Sequence, residues 1–228
     1  MKCSVQAGRI AFLAIIALAV ASGATISASG AGGAIPDCVI GVGALNCDQG
    51  PGTPGLFQST INIAAAGSIL AAGNNLTLTL TEMSHTWLGD LQMSLEHVGF
   101  GGATFLFRPG ANINTDTGYG TNLSGTYRFN NNFTGNPWTS TTTLPAGDYY
   151  PTGASYSSAE TPFSDFFNGQ IVAGDWRLTI RDLNDMDTGS LGSWSLDIET
   201  PSEIPEPAQV LPLLGALLAG AWRLRRRQ

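Results

Sequence analysis

Between residues 30 and 203 the sequence has no lysine and only four arginines, Arg108, Arg128, Arg177 and Arg181, against sixteen Asp and Glu. That is a net charge of −12, where the whole 228-residue chain carries −7. A surface this acidic repels phosphate backbones and attracts cations, which argues against a nucleic-acid partner. Histidine is almost as scarce, with His85 and His97 the two in the chain. A Ser-His-Asp mechanism needs one of them as a base. His85 reads as a structural histidine at a strand entrance, and His97, closing an alternating run, as solvent-facing. There is no Gly-x-Ser-x-Gly elbow, phosphate loop or His-Glu-x-x-His helix. Paired carboxylates for glycoside hydrolysis stay open on sequence alone, since acids abound. The balance of these absences is a protein that is not an enzyme.

Cysteine is limited to three residues. Cys3 lies in a charged N-terminal stretch ahead of an apolar run, so it is not placed for lipoprotein acylation. Cys38 and Cys47 stand nine positions apart in a Gly-rich segment, and outside the cytoplasm they are expected to form one disulfide rather than a two-thiol metal site.

Amphipathic helical periodicity is also missing between the two ends of the chain. Short alternating runs take its place: Leu76 to Leu80, Leu91 to Leu95, Thr104 to Phe107, Trp176 to Ile180 and Trp194 to Ile198, separated by Gly, Asn, Thr and Ser clusters. Alternation sends one set of side chains inward and the other to solvent, which predicts an all-β, two-sheet sandwich. Residues 111 to 147, rich in Asn, Thr and Gly, read as long loops with one strand. Trp87, Trp176 and Trp194 are expected in the core. Trp138 and Tyr149, with Tyr150 and Tyr156, fall in loop-like sequence and are candidates for stacking on sugar rings.

Both ends carry the long hydrophobic runs. Lys2 and Arg9 precede Ile10 to Ala21, and Ser22-Gly23-Ala24 offers small residues to a signal peptidase, the layout of a secretory signal peptide over residues 1–24, with cleavage near Ala24 or at Ala28. At the other end Pro205-Glu206-Pro207 leads into the apolar run Ala208 to Trp222, closed by Arg223, Arg225, Arg226 and Arg227. Arginines resist crossing a membrane and hold their end in the cytoplasm, so the body lies outside. Fifteen helical residues reach roughly 22 Å, short of the roughly 30 Å hydrocarbon core, and Pro212 weakens the run further. A transient, cleaved segment suits this length better than a permanent anchor, which is the alternative. The tail, residues 200–228, resembles the PEP-CTERM sorting signal of Gram-negative, exopolysaccharide-making bacteria. That resemblance implies removal near the Pro-Glu-Pro by an exosortase, passage through the inner membrane, and a place at the cell surface or outside.

A second resemblance rests on blocks in the body: His85-Thr86-Trp87-Leu88-Gly89-Asp90-Leu91, Thr104 to Gly110, Tyr150-Pro151 leading to Phe163, Phe166 and Gly169, then Gly174 to Asp182 and Asp187 to Leu196. Their order and spacing resemble the P domain (P/Homo B domain) of proprotein convertases, over roughly residues 57–199. The resemblance implies a jelly-roll sandwich related to galactose-binding-like domains. Residues 112–143 depart from the family pattern. Convertases also place a catalytic domain before the P domain, where this chain has the Gly-rich segment 25–56 with its cysteine pair.

The acidic turn Asp182, Asn184, Asp185, Asp187 and Gly189, with Asp90 if the loops meet, is the best candidate for site chemistry. Ca²⁺ takes six to eight oxygen ligands, which Asp carboxylates and turn carbonyls supply. The spacing is not that of an EF-hand, and the plain alternative is a solvated hairpin turn. Resemblance to P domains, some of which bind calcium, favours the ion. The expected function is a non-enzymatic exported surface or matrix protein whose sandwich makes adhesive or protein contacts. The alternatives are a carbohydrate-binding module on exopolysaccharide, and an accessory domain or hydrolase linked to secreted proteolysis.

Overall fold

A computed structural model describes residues 24–41, 47, 54–65, 76–112, 117–139, 143–153 and 155–200. The expected signal helix and C-terminal hydrophobic helix, with Pro205, Glu206, Pro207, Arg225, Arg226 and Arg227, lie outside the described residues. Among the described residues no helix is long and apolar enough to cross a membrane.

Among the described residues nine strands form two sheets. They are β1 (Thr25–Ile35), β2 (Gly55–Ile63), β3 (Leu76–His85), β4 (Leu91–His97), β5 (Gly101–Phe107), β6 (Leu123–Phe129), β7 (Gly147–Tyr149), β8 (Gly174–Asp182) and β9 (Gly189–Glu199). One sheet runs β1-β9-β3-β6-β7 and the other β2-β8-β4-β5. The β-sandwich expected from the alternating runs is therefore present, and each of the five runs falls inside a strand: β3, β4, β5, β8 and β9. Their inward residues, among them Leu78, Leu80, Met93, Leu95, Phe105, Leu178, Ile180, Leu196 and Ile198, make one buried core between the sheets.

The sandwich starts earlier than the boundary expected at Phe57. Strand β1 lies within the Gly-rich segment and pairs with β9 from Thr25↔Glu199 to Ile35↔Gly189. Its small residues have a packing reason. A Cβ on Gly30 would strike the Trp194 indole and Ile61, so the large ring from β9 takes the space that side chains of β1 would otherwise fill. Strand β1 is hidden in sequence because its neighbour supplies its hydrophobic mass.

In β3 the alternation changes phase. Leu76, Leu78 and Leu80 point inward, then Met83 and His85 do, because a β-bulge interrupts the pairing with β6 between Leu80 and Met83. Glu82, at φ 53°, is the residue that takes the left-handed backbone. An extra residue on one strand flips the faces that follow. Without the bulge Ser84 would face the core, and His85 would face solvent.

Trp176 and Trp194 are buried as expected, whereas Trp87 is half-exposed over Gly120 and donates its indole N–H to the Thr117 carbonyl. His97 does not face solvent. It is fully buried between two rings, Phe100 and Trp176, each with its centroid 4.4 Å away. His97 continues the inward series Leu91, Met93 and Leu95 of β4, and Trp176, its partner across β4 and β8, offers the imidazole a flat apolar face.

Candidate functional site

The acidic residues meet at the end of the sandwich where β3 and β8 finish and β4 and β9 begin. Asp182 is the last residue of β8 and continues its inward series Trp176, Leu178 and Ile180, so strand periodicity drives this carboxylate inside. His85 arrives from β3 through the bulge, and its Nε2 lies 3.2 Å from Asp182 Oδ2. The Trp87 amide donates to His85 Nδ1 at 3.1 Å, which suits an imidazole that donates to Asp182 through Nε2. The other Asp182 oxygen accepts the Asn184 amide at 3.1 Å.

Asp90 closes a single 3-10 turn, Leu88–Asp90, that is wholly buried. The turn is pinned by Leu88 N–H to the Thr121 carbonyl and Gly89 N–H to the Tyr119 carbonyl. Gly89 is needed here, since a Cβ would strike the backbone of Gly118 and Tyr119. Both Asp90 carboxylate oxygens are buried and neither has a hydrogen-bond partner. Arg108, also fully buried, spends its Nε on the Gly89 carbonyl at 2.9 Å and brings Nη2 only to 3.9 Å from Asp90 Oδ1.

The electrostatics follow from this arrangement. Burial, then repulsion from Asp182, pushes the Asp90 carboxyl up to about 8, with smaller contributions from Asp187 and Asp185. The Arg108 guanidinium opposes the shift without cancelling it. Asp182 is raised too, by burial first, while its bonds from His85 and Asn184 pull the other way and Asp37 adds repulsion.

The sequence reading did not include Asp37. It lies at the end of β1 beside Cys38, which forms the expected disulfide with Cys47. Asp37 Oδ2 accepts the Met186 amide at 3.1 Å, and its Oδ1 is buried without a partner. Cys47 N–H donates to the Leu183 carbonyl at 2.9 Å, and Leu183 N–H donates to the Asp90 carbonyl at 2.9 Å. The disulfide-closed segment, the Asp182–Asp187 loop and the Asp90 turn are thus stitched into one unit. Nothing in the Asp-x-x-Asp spacing reveals the contribution of Asp37, because pairing of β1 with β9 is what carries it there.

Of the four expected ligands, Asp90 and Asp182 are buried while Asp185 and Asp187 sit half-exposed in the loop, where Asp187 accepts the Thr86 hydroxyl. Among the described residues no three His, Cys, Asp or Glu side chains already form a metal-ligand group. Carboxylate oxygens are nevertheless the kind of donor a hard cation takes. Two orphaned carboxylate oxygens on Asp90 and one on Asp37 are buried beside Asp182, and a carboxylate oxygen holding one hydrogen bond keeps a second lone pair.

The aromatic candidates separate. Tyr149 is buried in the core, its ring near Tyr127 and Phe129 and its hydroxyl donating to the Pro145 carbonyl at 2.6 Å. It is not available to a sugar, since the parallel pairing of β7 with β6 points it inward. Trp138 is half-exposed in the 3-10 turn Pro137–Thr139, with its indole nitrogen buried and unpartnered.

Neither histidine is arranged as a base. His85 is held by Asp182 and the Trp87 backbone. His97 Nδ1 lies 2.9 Å from Gln170 Oε1, and its Nε2 lies 3.1 Å from the Ala173 carbonyl.

The profile of the proprotein convertase P-domain family matches residues 137–198, from Pro137 to Ile198. The matched span holds β7, β8, β9 and the acidic loop, and leaves the His85–Leu91 and Thr104–Gly110 blocks outside it. A comparison with curated proteins finds no match. Among solved structures the chain is similar to the Aeromonas sobria serine protease (ASP) in complex with the chaperone ORF2, at 15% identity and a TM-score of 0.34. The alignment covers 78% of this chain and 27% of that one, so the chain spans about a quarter of its length.

Proposed function

We propose that this protein is a non-enzymatic, exported binding module, a P-domain-like sandwich whose carboxylate-lined end is organised by Ca²⁺ for contact with other surface or matrix proteins. The observation that carries this reading is Asp90: two buried carboxylate oxygens without hydrogen bonds, beside Asp182 and within the field of Asp185 and Asp187. A buried anion without partners is costly, and either a proton or a cation relieves the cost. Asp90, Asp182, Asp187 and Asp37 would hold the ion, with Asp185 at the rim. The ion would supply charge neutralisation and lock the loop to the disulfide-closed segment. The P domain is an accessory, non-catalytic domain of proteases, which is compatible with the engagement of both histidines in structural bonds.

In the same reading the tail is a PEP-CTERM signal. An exosortase recognises Pro205-Glu206-Pro207, the precursor is held briefly in the inner membrane, and the mature protein reaches the surface or exopolysaccharide layer of a Gram-negative cell. The carbohydrate-binding alternative keeps Trp138, Tyr150 and Tyr156, all half-exposed, as stacking candidates and loses Tyr149, which is buried in the core.

Two measurements test the two halves. Calorimetric titration of the metal-free protein should show Ca²⁺ binding that Asp90→Asn abolishes; no heat at millimolar calcium would overturn the cation reading. The intact mass of the protein from its host envelope and medium should lack Trp222 and the arginine cluster, and Glu206→Ala should retain them. A tail kept in both strains would mean a membrane anchor.

A further inference from the structure

The end of the sandwich opposite the carboxylates carries four exposed large apolar side chains: Val98 and Phe100 at the tip of the β4–β5 hairpin, with Phe166 and Ile171 on the segment leading into β8. They are 38%, 53%, 40% and 43% exposed. They are not loosely held. Phe100 is the outer ring of the stack Trp176, His97, Phe100, and its amide donates to the His97 carbonyl at 2.9 Å. Val98 N–H donates to the Asp175 carbonyl at 2.8 Å. Gln170 braces the two segments, its Oε1 facing His97 Nδ1 at 2.9 Å and its Nε2 donating to the Phe166 carbonyl at 2.7 Å. Val39, Leu56 and Met186 are exposed toward the carboxylate end as well, so what distinguishes this cluster is the buried aromatic stack and bridging amide that hold it in a fixed shape, which suits a contact surface.

The position of this platform identifies what covers it. His85 of β3 meets Asp182 of β8, so both strands finish at the carboxylate end, and the start of β8 lies at the other end with the end of β9. Thr25 pairs with Glu199 there, so the chain enters and leaves the sandwich at the platform end. The apolar run Ala208 to Trp222 begins nine residues after Glu199. Nine residues reach at most about 30 Å even when fully extended.

We propose that Val98, Phe100, Phe166 and Ile171 form a membrane-interface platform, seating the tail-bearing end of the sandwich on the lipid surface while the carboxylate end faces away. The occupant is a bilayer. Aromatic and aliphatic side chains on a rigid tip suit the headgroup boundary through apolar burial, in a body that has only four arginines to offer anionic headgroups. This inference rests on the membrane-directed reading of the tail. The calcium reading is independent of it.

The test uses the full chain with Cys3→Ser and a single new thiol, Val98→Cys, carrying an environment-sensitive fluorophore. It is reconstituted into vesicles of phosphatidylethanolamine and phosphatidylglycerol, with Met186→Cys as the label at the far end. Flotation, compared with that of the same chain truncated after Thr200, reports the tail, and fluorophore colour reports the platform. The expected result is flotation of both, with a blue shift at position 98 and none at 186, reduced at least two-fold by Phe100→Asp with Phe166→Asp. Near-ultraviolet circular dichroism checks that this double variant stays folded. Flotation with both labels reporting water overturns the platform and leaves the tail reading standing. A shift that grows with protein density at fixed lipid assigns the patch to a second copy and overturns the proposal. Failure to float overturns the tail reading together with this inference.

Discussion

Asp90 and Arg108 are both fully buried, and their closest charged atoms stand 3.9 Å apart without a hydrogen bond, because Arg108 Nε is committed to the Gly89 carbonyl. The guanidinium therefore offsets only part of the cost of burying the carboxylate, and the Asp90 carboxyl stays up at about 8.

Stability of the metal-free protein should consequently fall as pH rises. A carboxyl whose folded value lies above its ordinary 3.8 binds more protons folded than unfolded. Its contribution is complete below about pH 4 and is lost as pH climbs toward about 8, at no more than about 1.4 kcal/mol per pH unit. Asp182, raised in the same direction, steepens the trend. Urea unfolding in chelator at pH 5 to 9 checks this, with Asp90→Asn as comparison. That variant should show a flatter profile and greater stability than the parent at pH 8. An unchanged profile would place the titrating group elsewhere.

Calcium and protons should compete for the same oxygens. Binding to the folded state alone raises stability by RT ln(1 + [L]/Kd), about 2.7 kcal/mol at a hundred-fold excess over Kd. The thermal shift given by calcium should therefore be larger at pH 8 than at pH 5.5, absent in Asp90→Asn, and reduced in Asp187→Asn, whose carboxylate sits at the half-exposed rim. Differential scanning calorimetry with and without chelator reads all three.

The sandwich was legible in the sequence where strands alternate large and polar residues, as in Leu76 to Leu80 and Trp194 to Ile198. Strand β1 was not, because its glycines make room for Trp194 and carry no hydrophobic signal of their own. Of the site, Asp182, Asp185 and Asp187 could be picked out from local acidity, and Asp90 from the Gly-Asp-Leu block that resembles P domains. Asp37 could not, since a 10-residue strand pairing separates it from anything that names its role. His97 shares the inward phase of Leu91, Met93 and Leu95, so its burial is written in the alternation of β4, whereas the ring of Phe100 that folds back over it is not.

Opening the disulfide should weaken the site as well as the fold. In the chain-entropy picture, closing so short a loop contributes about 2–3 kcal/mol. The loop also delivers Asp37 to Met186 and the Cys47 amide to Leu183, one residue from Asp182. Cys38→Ser with Cys47→Ser should lower the unfolding midpoint by that amount and weaken calcium affinity several-fold. Asp37→Asn in the oxidised protein should weaken affinity with little loss of stability. If the double variant loses stability while its calcium affinity is untouched, the disulfide segment is structural support alone.

Trp138 and Tyr149 should part company on mutation. Tyr149→Phe removes the hydroxyl bond to the Pro145 carbonyl inside the core and should cost about 1 kcal/mol of stability, with no effect on any ligand. Trp138 is half-exposed on a short turn between loops, so Trp138→Ala should change stability little. Retention on immobilised exopolysaccharide then discriminates the two readings of function. No retention of the parent leaves protein contact as the role of the sandwich, and equal retention by the parent and both variants places the sugar contact elsewhere on it. Loss of retention confined to Trp138→Ala would instead make the turn Pro137–Thr139 a sugar platform from which Tyr149 is excluded by its burial.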